Sequence, residues 1–143
     1  MCLITLAYNV HATYPFILAA NRDEFRERAA QPAHFWEDAP HVLAGRDLKA
    51  GGTWLGITRS GRFAAITNYR DLRRTPVNGP SRGQLVRAAL DGTADLGRTS
   101  AYEGFNLLYG PLDRLRYHSN VPGTDEGLSS GIHGLSNHLL NTP

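Results

Sequence analysis

The chain opens MCLITLAYNV, and Cys2 is its only cysteine in 143 residues. Loss of Met1 would leave Cys2 with both a thiol and a free α-amine, a nucleophile and a base on one residue. An α-amine titrates near about 7.7–8.0, which suits proton transfer at neutral pH. The opposing reading makes Cys2 a small apolar residue at the start of a buried strand, and position alone favours it. The neighbours therefore decide. Cys2–Asn9 alternates and is rich in β-formers, Pro15–Arg22 is similar, and VHATY joins them, so a hairpin is expected. A register that pairs Asn9 with Pro15 carries Cys2 to Arg22 on the same face, with Cβ atoms about 5 Å apart. A slip of one residue brings Asn21 or Asp23 opposite instead. Either way NRDE, residues Asn21 to Glu24, lands beside the thiol. A guanidinium there is expected to make the thiol more acidic than its reference value of about 8.5. The plainer account of Arg22 and Asp23 is an ion pair at a strand end.

Two asparagines belong to the same question. Asn68 ends the strand in ITNYR, and Asn137 follows the strand in GLSNH. A carboxamide can donate to a developing oxyanion. Each asparagine taken singly is also an ordinary turn residue. Gly51-Gly52 falls opposite the end of the Asn68 strand in a simple hairpin, where a missing Cβ lets a ligand or another backbone come close.

These residues need a scaffold, and hairpins dominate the pattern. Thr53–Thr58 and Arg62–Tyr69 read as strands around Arg59-Ser60-Gly61. Phe105–Tyr109 and Leu115–His118 flank Gly110-Pro111-Leu112-Asp113, and Ile132–Ser136 is a last strand. Glu24–Ala30 reads as a helical turn limited by Pro32, and HFWEDAPHVLAGRDLKAGG as an extended loop with a short strand at Val42–Ala44. Ser81–Leu90 is the clearest helix. Ser81 and Gln84 fit a capping box, and Leu85, Val86, Ala89 and Leu90 share one face. His138–Leu140 reads as the start of another helix. Many antiparallel strands with few helices give an α+β fold.

Composition narrows the class. A hydrophobic share of 41% and a charged share of 20% describe a globular chain, read as one domain over residues 1–143. A formal charge of +2 is too small to argue for nucleic acid. Fourteen arginines against one lysine suggest the codon bias of a GC-rich bacterium. The arginine-rich loop RDLRRTP is read as solvated rather than phosphate-binding. LITLAYNVHA has no basic leader and is interrupted by Asn9 and His11, and no apolar run approaches the roughly 20 residues of a membrane helix. The expected location is the cytoplasm. One cysteine excludes an internal disulfide and a cysteine-based zinc site, and the six histidines show no H-E-x-x-H spacing. No metal or cofactor is called for.

In order along the chain stand MCLI, AANRDEF, AGRDLKAGGTWLGIT, FAAITNYRD, PSRGQLV, GFNLLYG and GLSNHLLNTP. Together they resemble the NRDE family, also called the transport-and-Golgi-organisation protein 2 family, over nearly the whole chain. That family is similar to N-terminal-nucleophile hydrolases, which implies an αββα sandwich of stacked antiparallel sheets. Members usually continue through a Trp-Pro-Lys stretch beyond the NTP tripeptide, so the resemblance implies a domain incomplete at its C-terminal side. The choloylglycine and penicillin V acylase group is the nearest catalytic analogue. It implies Cys2 as nucleophile, Arg22 and Asp23 as its partners, and Asn68 and Asn137 on the oxyanion side, while its later arginine has no placed counterpart.

The implied reaction is cleavage of a non-peptide amide, or of an ester or thioester, with a small-molecule or lipid-like ligand as partner. A homo-oligomer is compatible with this. The rival is a non-catalytic protein that binds or traffics haem or a lipid, in keeping with the Golgi organisation and haem trafficking linked to eukaryotic members.

Overall fold

The computed structural model describes residues 2–71, 73, 75 and 77–142. Met1, whose loss the amine chemistry requires, and Arg74 of the basic loop lie outside the described residues. The strands are β1 (Leu3–Tyr8), β2 (Phe16–Asn21), β3 (Ala30–Trp36), β4 (Ala39–Asp47), β5 (Leu55–Thr58) and β6 (Arg62–Asn68) before the helix. Helix α1 (Arg82–Asp91) is followed by β7 (Phe105–Pro111), β8 (Arg116–Ser119), β9 (Thr124–Gly127) and β10 (Gly131–Leu135). A 3-10 segment, Leu96–Ala101, precedes β7.

Seven strands form one sheet in sequential order from β3 to β9, and three form a second in the order β10-β1-β2. Every pairing is antiparallel. The β1–β2 hairpin pairs Leu3 with Asn21 and Tyr8 with Phe16. The Asn9 N–H donates to the Pro15 carbonyl at 2.7 Å, so the register is the one that leads from Asn9–Pro15 toward Cys2–Arg22.

Alternation along β6 explains the layering, because successive side chains point to opposite faces. Ala64 and Ile66 pack with Leu85, Val86, Ala89 and Leu90 of α1. Phe63 and Ala65 face the other way, onto Ile4, Leu6 and Tyr8 of β1. The order of layers is therefore helix, large sheet, small sheet. Of the αββα arrangement implied by the resemblance, these three layers are present, and no second helical layer is found among the described residues. The outer face of the small sheet leaves Leu3, Ile17 and Ile132 exposed. Among the described residues no helix is long and apolar enough to cross a membrane.

Four local expectations are corrected. The stretch expected as an extended loop is a pair of strands, β3 and β4. Pro32 and Pro40 hide it, and β3 is an edge strand whose register shifts between Gln31 and His34, where a proline without an N–H is tolerated. The Glu24–Ala30 segment makes only a turn, with the Arg28 N–H on the Phe25 carbonyl. The capping box does not form. Ser81 is the N-cap but makes no side-chain bond, and the Gln84 amide reaches out to the Ala50 carbonyl. His138–Leu140 is not helical, because tertiary bonds claim its backbone. Asn106 Nδ2 donates to the His138 carbonyl at 2.8 Å, and the Leu140 N–H donates to the Tyr117 hydroxyl at 3.2 Å.

Candidate functional site

Cys2 stands one residue before β1 and Arg22 one residue after β2, at the open end of the hairpin. The Asp23 N–H donates to Cys2 Sγ at 3.4 Å, and the thiol donates to the Asp23 carbonyl at 3.7 Å. Cys2, Arg22, Asp23 and Asn68 line one cavity of about 360 Å³. Asn68 ends β6 and lines the cavity, and its carboxamide makes no hydrogen bond to any described residue. Asn137 takes a different place. It is not among the cavity-lining residues, and its Nδ2 donates to the Asn68 carbonyl at 2.9 Å while its own carbonyl accepts the Arg70 N–H at 2.8 Å. Asn137 therefore braces the strand end that carries Asn68.

The glycine pair has a structural partner. A Cβ on Gly52 would lie 2.4 Å from the Gly83 carbonyl carbon, so the close approach is that of another backbone. The Thr53 N–H donates to the Gly83 carbonyl at 3.2 Å. These contacts press the first turn of α1 against the start of the β5 segment. Ser81, Arg82 and Gly83 thereby form part of the cavity wall.

The wall is rich in paired charge. Arg22 meets Glu24 at 3.3 Å, and Arg28 meets Asp47 at 2.6 Å. Arg46 forks onto both oxygens of Asp38 at 2.7 and 2.8 Å. The Arg28 guanidinium holds the Asp47 carboxyl below its ordinary range. The Cys2 thiol departs from expectation. Burial pushes its pKa up, nearby positive charge, Arg22 included, offsets this only in part, and Glu24 adds to the rise. The guanidinium expected to acidify the thiol does lower its pKa, but burial outweighs it.

Residue-by-residue reading of the sequence missed Arg28, Arg46, Asp47, Arg82 and Glu103 as cavity residues. They come from segments far from Cys2 in sequence, and single charged residues in loops carry no chemical signature. One signal was available. Arg46 and Asp47 lie in AGRDLKAGGTWLGIT and Arg82 in PSRGQLV, motifs on which the resemblance rests.

A family model described as Transport and Golgi organisation 2 matches residues 1–143. The chain belongs to that family. The Transport and Golgi organization protein 2 homolog of Bos taurus is 41% identical over 164 residues, covering 100% of this chain and 59% of the relative. The Homo sapiens homolog is 38% identical over 164 residues, with the same two shares, 100% and 59%. Transport and Golgi organization protein 2 of Drosophila melanogaster is 33% identical over 153 residues, covering 91% of this chain and 54% of the relative. The chain thus spans 59% or less of the length of these Transport and Golgi organisation 2 relatives. All three are eukaryotic, so the bacterial origin read from the arginine excess gains no support from them.

Proposed function

We propose that the cavity is the site of an N-terminal cysteine hydrolase acting on a non-peptide amide, with esters and thioesters as easier substrates. The observation that carries this reading is the convergence of Cys2, Arg22, Asp23 and Asn68 on one cavity from three separate strand ends. A core-filling residue needs no such company.

The steps follow from the groups present. With Met1 removed, the Cys2 α-amine takes the thiol proton as sulfur bonds to the acyl carbon. That base is needed, because a thiol of raised pKa is mostly protonated at neutral pH. The oxyanion accepts a hydrogen bond from the Asn68 carboxamide, while Asn137 holds the end of β6 in place. The C–N bond then breaks, and the amine leaves with the proton carried by the α-amine. Water attacks the thioester, which releases the acid and restores the thiol. The net change is amide plus water to acid plus amine.

Chloroacetamide labelling followed by intact mass tests the reading. The expected result is loss of Met1, a single adduct on the wild-type protein, and none on Cys2→Ala. The Cys2→Ala variant should unfold within about 0.5 kcal/mol of wild type, as expected for a position that does not fill the core. A wild-type protein that resists every thiol electrophile, together with a strongly destabilised Cys2→Ala, would make Cys2 structural and end the proposal.

A further inference from the structure

We propose that the guest of this cavity carries a carboxylate that is held by Arg82. The inference rests on the reading of the Cys2 cavity as a substrate site, and adds the class of substrate to it. Four arginines line the cavity, and their partners differ. Arg22, Arg28 and Arg46 each face a carboxylate, from Glu24, Asp47 and Asp38. Arg82 forms no ion pair with any described residue. Among the described residues its hydrogen-bond partner is the Gly104 carbonyl, 3.0 Å from an Nη. A guanidinium has five N–H donors and stays charged, so most of its bonding capacity remains unfilled.

The nearby acid is already engaged. Glu103 also lines the cavity, but its carboxylate accepts the backbone N–H of Val77 and is not within ion-pair distance of Arg82. Burial pulls the Arg82 pKa below the ordinary guanidinium value, and the charges of Glu103 and Glu24 offset this only in part. A planar carboxylate fits the guanidinium fork. A guanidinium that reaches the cavity with no described carboxylate at ion-pair distance offers its remaining N–H donors to a carboxylate on the guest. The hydrolase would therefore act on an acyl compound that also carries a carboxylate, at a separation set by the span between Cys2 and Arg82.

Two measurements test this separately from the chemistry at Cys2. The first is calorimetric titration of the wild-type protein with straight-chain alkanoates and with the matching primary amides. This arm needs no reactive thiol. Charge-assisted hydrogen bonds predict that the best alkanoate binds roughly tenfold to hundredfold more tightly than its amide. Equal affinity for acid and amide in the wild-type protein overturns the proposal without any variant. The second is labelling of Cys2 with chloroacetamido-alkanoates of increasing chain length and with their methyl amides. The acid should outpace the amide at one length, and Arg82→Met should bring the ratio of the two rates to about one. Arg82→Lys should keep part of the preference, which separates lost charge from lost folding. A preference that survives in Arg82→Met overturns the assignment to Arg82. Binding of alkanoates without labelling at Cys2 would sink the nucleophile reading and leave the anion site standing.

Discussion

At Cys2 burial sets reactivity first, and two opposed charges modulate it. The thiol pKa is raised by burial, and Glu24 adds to the rise while Arg22 opposes it. A raised pKa means that the thiolate is scarce at neutral pH. Alkylation should therefore climb about tenfold per unit of pH through neutrality, and level off only above the ordinary thiol range. Glu24→Gln removes one cause of the rise and releases Arg22 from its 3.3 Å partner, so labelling by iodoacetamide at neutral pH should quicken. Arg22→Met should slow it. Each change should be roughly two- to fivefold, as for charges still reached by solvent. Rates followed by intact mass across the pH range decide the matter, and a Glu24→Gln profile that overlays wild type would remove this account. The sequence placed Cys2 beside NRDE correctly, because a hairpin register is set by two short strands and their turn. It misjudged the thiol, because the burial that raises its pKa outweighs the nearby guanidinium and shows only in the folded geometry.

Among the elements, the contact of the β5 segment with α1 holds the cavity wall. Gly52 and Gly83 lie so close that a methyl group on Gly52 would strike the Gly83 carbonyl carbon at 2.4 Å. Neither backbone can yield without moving the first turn of α1. Gly52→Ala should destabilise by about 1–3 kcal/mol or more, read from urea midpoints at unchanged slope. It should also weaken alkanoate binding, since Arg82 belongs to that turn. A variant as stable as wild type would show that the helix is free to shift. The glycines were visible in the sequence as a place of close approach, but their partner was not, since Gly83 lies beyond a long polar loop. The failed capping box has the same origin. Ser81-x-x-Gln84 is a sound local signal, yet Gln84 finds the Ala50 carbonyl across space. The strands β3 and β4 were hidden for a different reason, since exposed edge residues and two prolines erase the alternation that marks a strand.

For the molecule as a whole, one buried histidine ties stability to pH. His118 on β8 packs on Phe105 with ring centroids 5.7 Å apart, and neither ring nitrogen has a hydrogen-bond partner among the described residues. Burial lowers its pKa, and Asp125, its pairing partner on β9, opposes this only in part. Below the unfolded value of about 6.5 the unfolded chain binds a proton that the folded protein refuses. Stability should be full above that pH and decline as the pH falls below it. His118→Phe should flatten this acid limb and raise stability at about pH 5 by roughly 1 kcal/mol or more, and by less at about pH 8. Chemical denaturation at the two pH values checks both signs, and an unchanged acid limb would clear His118 of the effect. A further consequence concerns time. The pairing of β1 with β10 joins Ile4 to Leu135, strands far apart in sequence. At about 5–20 residues per second, a ribosome needs on the order of ten seconds to pass from one to the other. The β1–β2 hairpin can close at once, but its third strand, β10, emerges only after β3 to β9. Throughout that interval the nascent protein presents an unpaired β1 edge, so the sheet behind Cys2 is the part most open to mispairing during synthesis.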